Sequence, residues 1–201
     1  MTTDWSELER DALAEAFNVG VGSAAAVLSG MVGAEVMLSV PELRVVDKAA
    51  ALASFGLAPA DRVCAVVQPY GGAFESRALL MFTEVKSYDL VRAVVPDHVA
   101  EMRMGDMAQD ALIEVGNLVL NACLTAVGEL LGCALTTRVP SLVKGEAAEV
   151  LEQMEGSEMM LLHMLFSIKD KDIDGYVGFL LDQQAMGALK QAVGNFLSAH
   201  L

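Results

Sequence analysis

The chain has 201 residues, 54% of them hydrophobic, with 27 acidic against 13 basic side chains and a formal net charge of −14. A chain of this length can bury its own core without disulfides, and the acidic excess argues against a nucleic-acid ligand, whose affinity comes from Lys and Arg releasing counterions. Cys64, Cys123 and Cys133 sit in apolar runs with neither a paired framework nor metal-ligand spacing, which points to a reducing compartment.

In chain order, the opening MTTDWSELERD carries no secretory pattern, so a cytoplasmic protein is expected. A helix is predicted over 6–31. Its uncharged run Ala16–Ala34 approaches the length of a membrane span, but Asn18, Ser23, Ser29, four glycines and the missing basic flank fit a closely packed helix better. A strand closing at Pro41 follows, then an irregular or partly helical connection, a hairpin turning at Tyr70-Gly71-Gly72 and a helix over 87–95. A join near Glu101–Gly105 leads into a helix over 107–131, a strand closing at Pro140, a second hairpin turning at Asp172-Ile173-Asp174-Gly175 and a last helix over 182–199.

This order repeats. A shift of 99 residues lays DALAEAFN (11–18) over DALIEVGN (110–117) and GAEVMLSVP (33–41) over GCALTTRVP (132–140). The same shift sets VCAVVQ (63–68) against LHMLFS (162–167) and ALLMF (78–82) against VGFLL (177–181). One domain over 1–201 is expected, built of a first repeat at 6–100 and a second at 105–201. Its fold class is α/β of the α+β type: a pseudo-twofold duplicated unit with helices packed on a shared, mainly antiparallel sheet.

At 100° per residue, Asp11, Glu15 and Asn18 share an arc of about 60° on the first helix, while Leu13, Phe17, Ala24, Leu28 and Met31 lie opposite. Asp110, Glu114 and Asn117 repeat the polar arc, with Leu112, Cys123, Val127 and Leu130 on the apolar side. A solvated helix face explains polarity in either copy. It does not require Asp-x3-Glu-x2-Asn-x22-Pro twice, while neighbours such as Ser39/Arg138 and Gly30/Glu129 differ; a shared origin accounts for part of the identity.

This doubled pattern resembles the signature of the CheC, CheX and FliY family of chemotaxis phosphatases over essentially the whole chain, and two copies in one chain are most similar to CheC. The resemblance implies a phosphatase that hydrolyses the phospho-aspartate of a CheY-like response regulator, with Glu15, Asn18, Glu114 and Asn117 as catalytic residues. No cofactor is expected on this chain, and Mg²⁺ is expected on the receiver. The carboxamide oxygen of each Asn would accept from the attacking water while its NH₂ donates to a phosphoryl oxygen. Each Glu would pair with a Lys of the partner. Asp11 and Asp110 are read as rim contacts or support, and Pro41 and Pro140 as strand-ending structural residues. The alternative is a non-catalytic CheC-like adaptor that binds a phosphorylated receiver or a CheD-type deamidase; a structural flagellar-switch component ranks third. A monomer is expected, without nucleic acid or membrane insertion. Phe17 stands where the related motifs commonly have Gly, as at Gly116, so the second site is expected to be the stronger.

Other signals carry less. Gly20-x-Gly22-x-x-Ala25 fits a dinucleotide fingerprint but follows a helical stretch rather than a strand, and reads as helix-packing glycines. Asp170-x-Asp172-x-Asp174-Gly175 opens like a calcium loop and has Leu181 where Glu is needed. His98, His163 and His200 have no partner at metal spacing. Met102, Met104 and Met107 could form an adaptable partner surface.

Overall fold

The computed structural model describes residues 5–72, 75–95, 104–132, 134–154, 156–168 and 171–200. Ser6 starts α1 (Glu7–Val32) through a capping box: its hydroxyl accepts the Glu9 N–H, and the Glu9 carboxylate accepts the Ser6 N–H at 2.8 Å. The Ser6 N–H, the largest cause, and the Ser6 hydroxyl, which donates to the same carboxylate at 2.9 Å, hold the Glu9 carboxyl below its ordinary range. Gly33 ends α1 in the left-handed conformation at φ 65°, and Gly132 repeats this at φ 63° after α4 (Met104–Leu131). The paired glycines of the sequence are thus helix stops.

The remaining elements are β1 (Val36–Asp47), a short 3₁₀ turn at Lys48–Ala50, α2 (Ala51–Ser54), β2 (Arg62–Gly71), β3 (Ser76–Thr83) and α3 (Glu84–Val94), followed after α4 by β4 (Thr136–Thr137), β5 (Ser141–Glu146), α5 (Ala147–Glu152), β6 (Glu158–Ile168), β7 (Lys171–Leu181) and α6 (Gln183–His200). The strands form one seven-stranded sheet ordered β1-β6-β7-β3-β2, with β4 and β5 both on the outer side of β2. All pairings are antiparallel, giving the expected α+β fold.

Strand alternation divides the core between the two faces of the sheet. Cys64, Val66, Tyr70, Met160, Leu162, Met164 and Phe166 join one cluster with buried residues of α1, α3, α4 and α6. Val63, Ala65, Val67, Met159 and Leu161 join the other with Ala51 and Phe55 on one side and Val150 and Leu151 of α5 on the other. The long helices α1 and α4 pack through their apolar sides: Val21, Ala24 and Leu28 of α1, and Val119, Leu120 and Cys123 of α4, are all buried against the sheet or each other. Burial pushes the Cys123 thiol up to about 12.

Several expectations change. Pro41 does not close a strand; it lies within β1, at the irregularity between Ser39 and Glu42, on an edge strand where a missing N–H is tolerated. Pro140 does fall between β4 and β5. Asp172–Gly175 lie inside β7, and the hairpin turns before Lys171. Met31, expected inside, is 52% exposed. The Leu130 side chain, His98, Met102 and part of the join lie outside the described residues. Gly20 is a packing glycine, because a Cβ there would stand 2.8 Å from the Ala122 carbonyl oxygen and 2.9 Å from the Ala126 Cβ; Gly22 faces open space.

The ladder also revises the strand alignment. Glu42, just after Pro41, pairs with His163, whereas Ser141, just after Pro140, pairs with Val67. Val67 therefore corresponds to His163 and Gln68 to Met164, three residues short of the 99-residue shift. An odd displacement in a strand exchanges its faces, so the longer shift would put core residues of one face opposite those of the other.

Candidate functional site

The helix-face geometry follows the sequence expectation. Asp11, Glu15, Asp110 and Glu114 are exposed, and Asn18 and Asn117 are half-buried. Each Asn sits one turn after its Glu, where α1 or α4 passes over the sheet, so its carboxamide can reach the strands beneath while the Glu stays in solvent. Phe17, beside Asn18, points into the core at 1% exposure and stacks on Phe179 with ring centroids 5.5 Å apart. It does not crowd the outer face. The matching Gly116 is needed for a different reason: a Cβ there would lie 2.5 Å from Val66 Cγ1.

The two carboxamides are held differently. Asn18 Oδ1 accepts the backbone N–H of Val40 at 2.9 Å, fixing α1 to β1 beside Pro41. Asn117 Oδ1 accepts from Gln68 Nε2 at 3.1 Å and from Asn121 Nδ2 at 3.0 Å. A carboxamide oxygen has two acceptor positions and its NH₂ two hydrogens. Among the described residues Asn18 keeps one acceptor position and Asn117 none, so the expected pairing of carbonyl with water fits Asn18 better. Gln68 and Asn121, which carried no site role in the sequence pattern, bond to Asn117; the available signal for Gln68 was a lone glutamine in the otherwise apolar run VCAVVQ.

Each site borders an apolar cleft. Beside Glu15, a cleft of about 350 Å³ is lined by Val19, Ala126, Glu129 and Phe196. Beside Asp110 and Glu114, one of about 390 Å³ is lined by Leu28, Met31, Val94 and Met107. The N-terminal half of α1 thus neighbours the C-terminal half of α4, and the reverse holds at the other end, so the helices run antiparallel with a site at each end. Leu28, beside the second site, lies ~20 Å along α1 from Glu15 at 1.5 Å per residue. Of the three methionines singled out in the sequence, Met107 has a described side chain, and it is 42% exposed.

The other polar signals lie elsewhere. His163 Nε2 is 3.0 Å from Asp174 Oδ1, and its ring stacks on Tyr176. Asp172 accepts the Ser167 hydroxyl within the same hairpin. No group of three His, Cys, Asp or Glu able to hold a metal occurs among the described residues.

No protein-family model matches the sequence. Among solved structures, Thermotoga maritima FliY is similar over 96% of this chain and 99% of its own, with 18% identity and a TM-score of 0.72. The FliM middle domain from H. pylori matches 94% of this chain and 99% of its own at 9% identity and a TM-score of 0.64. A chain of the CheX–CheY–BeF₃–Mg²⁺ complex from Borrelia burgdorferi matches 84% of this chain and 97% of its own at 17% identity and a TM-score of 0.53. With its antiparallel sheet and long helix pair, the chain has the fold shared by these FliY, FliM and CheX structures.

Proposed function

We propose that this chain is a cytoplasmic, two-repeat phosphatase that hydrolyses the acyl phosphate of a phosphorylated CheY-like receiver. The observation that carries the reading is the doubled helix face: an exposed Glu and, one turn on, a half-buried Asn whose carbonyl is tied to the protein and whose NH₂ has no hydrogen bond among the described residues. A phosphatase of this kind needs little chemistry of its own, because a loose phosphoryl-transfer transition state responds mainly to positioning and to donors on the phosphoryl oxygens. The NH₂ groups of Asn18 and Asn117 supply those donors, and the remaining acceptor position of Asn18 takes a hydrogen of the attacking water.

Glu15 and Glu114 are well placed to pair with a Lys of the receiver, since both are exposed at the ends of the helix pair. Asp11 and Asp110, one turn earlier, support the rim. The clefts beside the Glu residues add apolar area next to these charges, a combination suited to a protein partner. Mg²⁺ belongs to the receiver in this reading.

The test is phosphate release from a phosphorylated CheY-like receiver in the presence of Mg²⁺. Accelerated release that is lost in the Asn18→Asp, Asn117→Asp double variant supports the phosphatase. Tight binding of the phosphorylated receiver without acceleration supports the adaptor reading, and a complex with a CheD-type deamidase would extend that reading.

A further inference from the structure

Building on the phosphatase reading, we propose that Gln68 sets the two sites apart: by holding the Asn117 carbonyl it makes the second site a phosphoryl-binding site that does not orient water. The first site, without such a residue, orients the water and carries most of the turnover.

Gln68 is 1% exposed, and its Nε2 lies 3.1 Å from Asn117 Oδ1, 3.1 Å from Asn121 Oδ1 and 3.4 Å from the Arg138 carbonyl oxygen. The Arg138 contact fixes the orientation of the amide, because a backbone carbonyl is an acceptor only and the facing atom must be the donor NH₂. The other end of the group, Oε1, is buried without a hydrogen-bond partner. A buried unsatisfied oxygen is costly, and packing does not require it: the position that corresponds to Gln68 in the other half is Met164, fully buried and apolar. At that end of the molecule Asn18 is held by the Val40 backbone N–H instead. Gln68 is therefore a polar group in an apolar position whose bonds converge on Asn117 and its surroundings.

The consequence is chemical. With Gln68 and Asn121 both donating to its oxygen, Asn117 offers only N–H donors, which suit phosphoryl oxygens. A donor placed on the attacking water would engage the lone pair that has to reach phosphorus. Gln68→Met removes one of the two donors, leaves Asn121 in place, and gives Asn117 Oδ1 the single free acceptor position that Asn18 has.

The experiment measures steady-state phosphate release in the full chain. Asn18→Asp is expected to lower kcat, whereas Asn117→Asp is expected to weaken binding of a second phosphorylated receiver and to lower kcat much less. Adding Gln68→Met to Asn18→Asp is expected to raise kcat at least ~10-fold, the scale of one oriented hydrogen bond at a reacting centre. A gain cannot come from unfolding. Unchanged or reduced turnover in Asn18→Asp, Gln68→Met would overturn the proposal. A second readout needs no substrate: Gln68→Met is expected to shift the side-chain amide NMR signals of Asn117 and Asn121 and to leave those of Asn18 in place, and an unmoved Asn117 signal would overturn it. If the unsubstituted chain releases no phosphate from any receiver, the phosphatase reading falls and the division of roles falls with it, while the NMR shift separates that result from a misassigned Gln68 contact.

Discussion

Asn18 Oδ1 accepts the backbone N–H of Val40 at 2.9 Å, so the residue proposed to act on the phosphoryl group is also the clasp between α1 and the bulged part of β1. The two duties use opposite ends of one carboxamide. The oxygen satisfies the amide of Val40, a residue 4% exposed, and the NH₂ is the end proposed to meet the phosphoryl group.

That division makes Asp the informative substitution. Asn18→Ala leaves the Val40 N–H without its acceptor and is expected to lower stability by about 1–3 kcal/mol. Asn18→Asp keeps an oxygen facing Val40 and is expected to lose much less. Urea unfolding of the two variants checks this; equal losses would mean that the bond to Val40 contributes little.

In the Asn18→Asp, Asn117→Asp double variant both carboxamide donors are gone and both strand contacts retain an acceptor. Phosphate release is expected to fall by ~10²-fold or more, with far-ultraviolet circular dichroism unchanged. Retention of full turnover by a folded double variant would exclude the carboxamides from the reaction.

Glu15→Gln and Glu114→Gln remove exposed charges that the proposal pairs with a receiver Lys. KM is expected to rise, and the dependence of KM on salt to weaken, while kcat changes less, because an exposed ion pair acts chiefly on docking and is screened by added salt. Titrating activity against NaCl checks this, and an undiminished salt dependence in the double Glu variant would place the docking charges elsewhere.

The glycines separate into two groups. Gly116→Ala places a Cβ 2.5 Å from Val66 Cγ1, and Gly20→Ala one 2.8 Å from the Ala122 carbonyl oxygen. Each is expected to cost about 1–3 kcal/mol, as overpacking does. Gly22→Ala meets nothing within 4 Å and is expected to stabilise α1 by up to ~1 kcal/mol. Thermal unfolding of the three variants distinguishes contact from spacing.

The capping box gives a pH-dependent test. The Glu9 carboxyl titrates below its ordinary range because the Ser6 N–H and hydroxyl bond its charged form. Its contribution is complete above the unfolded carboxyl range and is lost as pH falls through the lowered folded value. Ser6→Ala is expected to cost about 1 kcal/mol at neutral pH, with a smaller difference from the unsubstituted chain in acid. Denaturation at neutral pH and near pH ~3 checks the sign.

Much of the molecule was legible in the linear pattern. Helix faces repeat with a short period, so the exposed Asp11, Glu15, Asp110 and Glu114 and the helix ends near 31 and 131 followed from neighbours within one or two turns, whereas the half-burial of Asn18 and Asn117 did not. Alternating apolar runs likewise announced the β2–β3 hairpin. What depended on residues distant in the chain was not legible. The pairing of β6 with β1 and of β2 with β5 fixed an offset three residues different from the one suggested by apolar similarity, and Val-rich strands resemble one another at several registers until hydrogen bonds choose one. The continuation of β1 through Pro41 required an unpaired edge to accommodate the proline. The helix period put Phe17 on the apolar side, but its stacking partner Phe179, 162 positions away by number, was not legible. Most of all, the state of each carboxamide was decided by groups that only folding brings together: the backbone of Val40 for Asn18, and the side chain of Gln68 for Asn117. The sequence by itself determined which side chains share the outer helix faces; the tertiary structure decided which of their atoms remain free, because a hydrogen-bond acceptor already occupied from within the fold cannot also serve a ligand.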